Sequence, residues 1–143
     1  MTRPPSRLRL CTWLALFTLL ALTGCQGLPA AQDCASLTNW QADQLHGQWR
    51  AQVEGEPTGS LVLGPHPEHA GSLRGTLSQG AQRHAVAADL EKGEFTMEES
   101  HDGQRISATW LGQLSATTCG RQIEGQKEQP GQASRRFQLS HLP

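Results

Sequence analysis

The 143-residue sequence has little of several features that mark common protein classes. It contains no tyrosine, aromatic residues make up 5% of the chain, and the lysines and arginines are scattered. No basic stretch is interleaved with aromatics, which argues against a nucleic-acid-binding protein. Signatures of hydrolases and nucleotide-binding enzymes are also missing, because there is no G-x-S-x-G turn, no P-loop and no H-E-x-x-H helix. We therefore expect a protein that binds without catalysis, with no cofactor and no nucleic-acid partner.

The one long apolar run lies near the start of the chain. Three arginines precede the largely apolar stretch from Leu10 to Leu22, which ends in "LTGC" at Cys25. The stretch is too short to span a bilayer comfortably and has the layout of a secretory signal. An ordinary signal peptide, or an apolar helix that happens to contain Cys25, is the alternative.

The tetrapeptide "LTGC" (22–25) resembles the lipobox of bacterial lipoproteins. The resemblance implies that residues 1–24 are a lipoprotein signal peptide, that the Cys25 thiol receives a diacylglyceryl group, and that the new amino terminus gains an acyl chain such as palmitate. Several acyl chains give stable anchoring to a membrane. Gln26, and not an aspartate, follows the cysteine, so we expect an outer-membrane lipoprotein that faces the periplasm or the cell surface.

The chain that remains is small and mildly acidic. Without the three arginines of residues 1–24, nine lysines and arginines stand against 13 acidic residues, so the formal charge is about −4. The first residues of this part, "CQGLPAAQD" (25–33), are small and polar and predict a short tether behind the lipidated cysteine. Residues 34–143 are then long enough for one domain with a modest core.

Few cysteines are present, and their number is informative. Cys11 leaves with the signal and Cys25 is consumed by lipid, so Cys34 and Cys119 are the only candidates for each other. An oxidising compartment favours a disulfide between them. On the chain-entropy model this bridge would contribute roughly 4 to 5 kcal/mol to stability. Two free thiols with a redox function are the alternative, but no CxxC spacing supports it.

Helical periodicity is scarce, whereas period-two alternation extends over most of the domain. Ser36 is expected to cap one short helix that places Leu37 and Trp40 on the same side. The short Gly- and Pro-containing connections that follow favour sequential antiparallel pairing, and eight such strands are expected to close into an up-and-down barrel. The eight predicted strands are 48–54, 59–65, 71–78, 83–90, 94–100, 104–115, 121–126 and 134–142.

The alternation separates one apolar face from one polar face along all the predicted strands. The residues predicted to face the interior are Trp49, Ala51, Val53, Leu61, Leu63, Leu73, Gly75, Leu77, Val86, Ala88, Leu90, Phe95, Met97, Ile106, Ala108, Trp110, Ile123, Phe137 and Leu139.

The opening strands resemble those of a known group of barrels. "LHGQWRAQVEG" (45–55), with "GSLVL" and "GSLRGTL" after it, is similar to the start of the calycins, the lipocalin and avidin-like barrels, with Gly47 and Trp49 at their Gly-x-Trp motif. "SATWLGQL" (107–114) resembles an avidin-like strand whose ligand-wall tryptophan corresponds to Trp110. The resemblance implies a calycin-like barrel. It does not extend to biotin binding, because the tyrosine and other partners of that site are missing.

A second resemblance concerns the same opening. "ADQLHGQW" (42–49) is similar to small periplasmic metalloprotease inhibitors that use an eight-stranded barrel with one disulfide. The similarity is confined to the opening strand, so the inhibitory tail of those proteins has no counterpart that can be mapped here. It implies a second function class, an inhibitor or accessory protein of an envelope or secreted hydrolase such as a protease or a lysozyme.

An eight-stranded barrel can be filled by its own side chains or can hold one small ligand. The apolar inventory is large enough to fill the interior, in which case Trp49 and Trp110 are core residues whose indole N–H groups bond to nearby carbonyls. Alternatively, Trp49 and Trp110 form the wall of a pocket for a small apolar or amphipathic ligand. The filled barrel is the favoured interpretation.

Two loops concentrate residues that could carry chemistry. His66 and His69 flank Glu68 in "PHPEHAG", and such a set binds a metal only when further ligands converge. The sequence supplies none, so no metal site is predicted and these two histidines are the weak candidates. The second loop, "MEESHDG", places Glu98, Glu99, His101 and Asp102 near a hairpin tip. Because Glu98 and Glu99 point to opposite faces, a paired-carboxylate site is not expected and the charges are expected to be solvated.

These observations predict a lipid-anchored binding protein of the outer membrane that is not an enzyme. It would bind either a small apolar or amphipathic molecule inside the barrel or an envelope protein through its hairpin loops, especially 64–71 and 100–104. Its contact with the membrane would be made through the lipid on Cys25.

Overall fold

The period-two alternation forms eight strands in the computed structural model, which describes residue 34 and residues 36–143. Each strand pairs antiparallel with the next and the last pairs with the first, so the sheet is a closed up-and-down barrel. The predicted all-β fold class is therefore confirmed. The predicted signal peptide 1–24, the lipidation site Cys25 and the tether 25–33 lie outside the described residues. The strands are β1 (Gly47–Val53), β2 (Gly59–Pro65), β3 (Leu73–Gln79), β4 (Gln82–Glu91), β5 (Glu94–Ser100), β6 (Ala108–Leu114), β7 (Gln122–Glu128) and β8 (Arg135–His141).

Alternate residues of every strand fill the inside of the barrel. Nearly all the residues predicted to face inward are buried in one apolar core, while Leu90 is partly buried against it. Between them, outward-facing residues such as Arg50, Arg74 and Glu98 are exposed. Burial of one face of each strand fixes the register, because a slip by one residue would exchange the two faces.

The predicted sixth strand begins too early. It was expected from residue 104, but β6 starts at Ala108, and Ile106 is 54% exposed instead of facing inward. The cause is a turn centred on Asp102, whose Oδ1 accepts hydrogen bonds from the backbone N–H groups of Gln104 and Arg105. Such a side-chain-capped turn competes with strand pairing.

The predicted short helix at the start of the domain is also wrong in detail. The segment forms two separate 3₁₀ turns, Leu37–Asn39 and Ala42–Leu45, and not a continuous helix. Ser36 makes no capping hydrogen bond to the backbone; its hydroxyl pairs with the Thr38 hydroxyl at 2.7 Å. A 3₁₀ turn of this length is a common connector. None of the helical segments in the described residues has the length and hydropathy of a membrane-spanning helix.

The two ends of the barrel differ. We call the end that carries the loops 54–58, 80–81, 101–107 and 129–134 the polar end. The opposite end, which carries 66–72, 92–93 and 115–121, is covered by the 3₁₀ segment, and we call it the closed end. There Leu45 is fully buried and Trp40 packs over Gly120.

A disulfide holds the covering segment in place. Cys34 is bonded to Cys119, with 5.2 Å between the two Cα atoms and a separation of 85 positions in sequence. The predicted pairing is confirmed. Since Cys119 lies in the loop 115–121, the bridge ties the start of the described domain to the closed end of the barrel.

Glycines at inward positions allow strands to approach each other closely. A Cβ added to Gly125 in β7 would lie 1.9 Å from the carbonyl oxygen of Leu111 and 2.5 Å from the Cα of Gly112. A contact this short requires the backbone to move. Gly125 is therefore needed for the close approach of β6 and β7.

We expect Gly125→Ala to lower the free energy of unfolding by about 1 to 3 kcal/mol, because overpacking a tight site forces the backbone apart. Urea unfolding followed by tryptophan fluorescence measures the change. Gly64→Ala is the matched control, since a Cβ at Gly64 in β2 meets nothing within 4 Å. Equal stability of the two variants would contradict this account of β6 and β7.

Candidate functional site

Polar side chains occupy interior positions at the polar end of the barrel. Glu99 on β5, Lys127 on β7 and His84 on β4 are 1%, 3% and 8% exposed. Each continues the inward face of its strand, so the alternation that places apolar residues in the core also places these groups inside. Buried charges are stable only when they are paired and hydrogen-bonded, and their partners define the candidate site.

Glu99 is at the centre of this cluster. Its Oε2 accepts a hydrogen bond from the indole N–H of Trp110 at 3.0 Å and lies 3.2 Å from the ammonium nitrogen of Lys127. The Lys127 ammonium in turn lies 4.8 Å from the centroid of the Trp110 ring. One carboxylate oxygen is therefore held by two fixed donors on β6 and β7.

The second oxygen of Glu99 faces two histidines. Its Oε1 lies 2.7 Å from Nδ1 of His84 and 3.1 Å from Nε2 of His101. The two imidazole rings are nearly stacked, with centroids 4.0 Å apart and an interplanar angle of 32°. His101 is half-exposed, so this side of the cluster opens to solvent whereas the Trp110 side is buried.

A second group of ion pairs lies nearer the rim of the barrel. Both oxygens of Glu56, in the loop 54–58, lie 3.3 Å from the Lys127 ammonium, and Oε1 is 2.7 Å from the guanidinium of Arg135. The Gln79 side-chain amide donates to Glu56 Oε2 at 2.9 Å. Lys127 thus bridges two carboxylates, one inside the barrel and one at its rim.

The electrostatic surroundings keep Glu99 ionised. Burial would raise the pKa of its carboxyl group, but the Lys127 charge and the hydrogen bonds from Trp110, Lys127 and His101 together hold the pKa below its ordinary value. Nearby, the backbone N–H groups of Arg105 and Gln104 lower the pKa of the exposed Asp102 to about 2. Both carboxylates are therefore charged at neutral pH.

The cluster forms the floor of a concavity of about 390 Å³ at the polar end. Its wall includes Gln79 and Gln132, with Glu56 and Arg135 at the rim and His84 and His101 below. The lining is polar and charged, so this concavity differs in character from the apolar pocket that the sequence left open.

The two tryptophans proposed as a ligand wall lie in the barrel core. Trp49 is 1% exposed and donates its indole N–H to the carbonyl oxygen of Leu45, at the closed end of the barrel, over a distance of 2.9 Å. Trp110 is fully buried, packs against Phe137 with ring centroids 4.9 Å apart, and donates to Glu99. Both face inward as predicted. Their role as a ligand wall stays a prediction.

The weak metal candidates lie elsewhere and are used differently. Nδ1 of His66 accepts hydrogen bonds from the backbone N–H groups of Glu68 and His69, both at 3.2 Å, so this histidine stabilises its own turn. The set of three donors that the described residues bring within reach of one ion is His84, Glu99 and His101. The loops 64–71 and 100–104, named together as contact loops, lie at opposite ends of the barrel and do not form one surface.

Glu99 and His101 belong to the predicted hairpin tip, but their surroundings differ from the expectation. Glu99 was expected to be solvated at a hairpin tip and is instead buried, although Glu98 beside it is exposed as predicted. The signal was the alternation itself: Glu99 follows Phe95 and Met97 at intervals of two. The same pattern places His84 before Val86 and Ala88, and Lys127 after Ile123 and Gly125.

No family model matches this chain, and no curated protein is similar to it at a significant level.

We expect Lys127→Met to lower the free energy of unfolding by about 3 to 5 kcal/mol, because it leaves the Glu99 carboxylate buried without its cation. Arg136→Met is the matched control. It removes an exposed ion pair with Glu54, at 3.4 Å, and should cost no more than about 1 kcal/mol. Urea unfolding measures both changes.

Adding Glu99→Gln to Lys127→Met should recover part of the lost stability, since the uncompensated charge is then removed. If the loss of unfolding free energy in the double variant equals the sum of the losses in the two single variants, the ion pair is not what stabilises this end of the barrel.

Proposed function

We propose that this protein is a non-catalytic, lipid-anchored lipoprotein of the bacterial outer membrane that binds another protein of the cell envelope through the polar end of its barrel. The observation that carries the proposal is the contrast between the two parts of the barrel. Its interior is occupied by large apolar side chains, while the polar end presents a charged concavity built on a buried ionic cluster.

The filled interior speaks against a small apolar ligand as the main partner. Trp49, Phe95 and Trp110, three of the largest inward side chains, are each 1% exposed or less. Neither tryptophan lines any of four concavities formed by the described residues, which lie on the outside of the strands or at the polar end. An apolar molecule would have to displace core side chains, which is costly in a close-packed interior.

The attachment point supports the choice of the polar end. Cys34 lies at the closed end, and only eight residues of the sequence separate it from the proposed lipid site Cys25. The described domain therefore begins at the closed end, which is opposite to the four loops of the polar end. A protein held in this way can present those loops to a partner.

The chemistry of the polar end suits a protein partner with polar groups. Arg135 lines the concavity, and the exposed charges of Asp102 and Arg105 lie in the loop 101–107 at the same end. Rim charges of this kind guide association and set specificity. A secreted or envelope hydrolase, inhibited or assisted by this contact, is the alternative form of the same function. Turnover of a substrate is not part of the proposal.

Site-specific photo-cross-linking in the intact bacterium tests the binding surface. A photoreactive amino acid at Gln104 or Ala133, both exposed at the polar end, should give an adduct with the same protein. The matched controls are Glu68 and Ala70, which are exposed at the closed end and should give no such adduct.

Equal cross-linking from both ends would overturn the choice of surface. Saturable binding of an apolar dye, with quenching of the fluorescence of Trp49 or Trp110, would favour the small-ligand class instead. If the proposal is right, the purified protein shows no saturable binding of the dye, and its tryptophan fluorescence does not change on titration.

The lipid anchor has its own test. Mass spectrometry of the membrane-extracted protein should find an amino terminus at Cys25 that carries a diacylglyceryl group and one further acyl chain. Cys25→Ser should abolish this modification, and the variant should no longer be recovered as an acylated protein from the membrane fraction. Cys11→Ser is the control and should change neither, because Cys11 is removed with the signal. An unmodified Cys25 in the wild-type membrane fraction would disprove the anchor.

A further inference from the structure

We infer that His84, Glu99 and His101 form a binding site for a divalent transition-metal ion, and that Zn²⁺ is the ion whose ligand preferences they match best. The inference concerns the floor of the polar end and does not depend on the protein partner proposed above. Two imidazoles and one carboxylate are a donor set that suits zinc, and three protein ligands leave one coordination position open.

The geometry is close to what such an ion requires. Nδ1 of His84, Oε1 of Glu99 and Nε2 of His101 all lie within 4.8 Å of one another. In a tetrahedral zinc site with bonds of about 2.0 to 2.1 Å, ligand atoms are separated by about 3.4 Å. The two contacts to Glu99, at 2.7 and 3.1 Å, need to open slightly to reach this separation.

His84 provides an independent observation. Its Nδ1 is fully buried and makes no hydrogen bond, although it lies 2.7 Å from Oε1 of Glu99. The contact is therefore close without having the direction of a donated hydrogen bond. A buried ring nitrogen without a hydrogen bond is costly, and a metal ion placed between the nitrogen and the carboxylate would satisfy both atoms.

The surroundings orient the carboxylate ligand as metal sites require. Oε2 of Glu99 is held by Trp110 and Lys127, so Oε1 is the atom left to face the two histidines. Partners of this kind fix the orientation of a ligand and contribute strongly to metal affinity. Glu99 comes from β5 and His84 from the paired strand β4, so two of the three ligands are on rigid elements.

Charge balance indicates what occupies the fourth position. Glu56 and Glu99 are balanced by Lys127 and Arg135, so a divalent ion held by neutral histidines adds uncompensated positive charge. A bound hydroxide or another small anion would offset part of it. His101 is half-exposed beside the concavity, which provides a route from solvent to the ion.

Isothermal titration of the detergent-extracted, full mature lipoprotein with Zn²⁺ alone tests this inference. After treatment with a chelator, the protein should bind one Zn²⁺ per chain, and Co²⁺ in its place should give the visible absorption of a tetrahedral site. His101→Asn should weaken binding by at least about ten-fold, and His84→Asn should do the same. His101 is half-exposed in a loop, so its variant keeps the fold even if His84→Asn does not.

The double variant His66→Asn/His69→Asn is the matched control, because it removes two histidines at the closed end and should leave the affinity unchanged. Absence of Zn²⁺ binding would overturn the inference. Binding that survives His101→Asn but is lost in the control variant would overturn it as well. Either result leaves the photo-cross-linking test of the partner surface unaffected, since no partner is present in the titration.

Discussion

The pairing of β8 with β1 is the constraint on which the rest of the structure depends. It removes both edges of the sheet and divides every strand into an inward and an outward face. Four neighbouring strands, β4 to β7, then direct His84, Glu99, Trp110 and Lys127 toward the same point. In an open sheet these side chains could face water. In the closed barrel their charged groups have to be paired and their polar groups hydrogen-bonded. The result is a polar network inside an otherwise apolar interior.

The network and the apolar core have different physical requirements. The core is stabilised by burial, which is tolerant of exchange between apolar side chains of similar volume. The network depends on each partner, because removal of one charge leaves another buried without compensation. Glu99 connects the two regions, since its Oε2 accepts from Trp110 in the core while its Oε1 faces His84 and His101. A change in the ionic cluster would therefore affect the packing of Trp110.

Most of the fold could be predicted from the sequence, because period-two alternation and short connections are local signals. All eight strands were found, and Cys34 pairs with Cys119 as the cysteine count indicated. The errors lie where local side-chain hydrogen bonds override the pattern, as at Asp102 before β6. The site was not predicted, because charged residues near a turn are usually solvated. Only the closure of the barrel, together with the inward parity of Glu99, His84 and Lys127, shows that these residues meet.

The location of the closing segment has a consequence for variation. Cys34 and its disulfide lie at the closed end, and Leu142 also reaches that end, where its N–H donates to the carbonyl oxygen of Gln48. The polar end consists of four loops that connect paired strands and carry neither the bridge nor the covering segment. Insertions in such loops have a small entropic cost and leave strand register unchanged. The barrel therefore tolerates changes in those parts of the four loops that lie outside the ionic cluster, whereas Glu56 and His101 are loop positions that the cluster fixes.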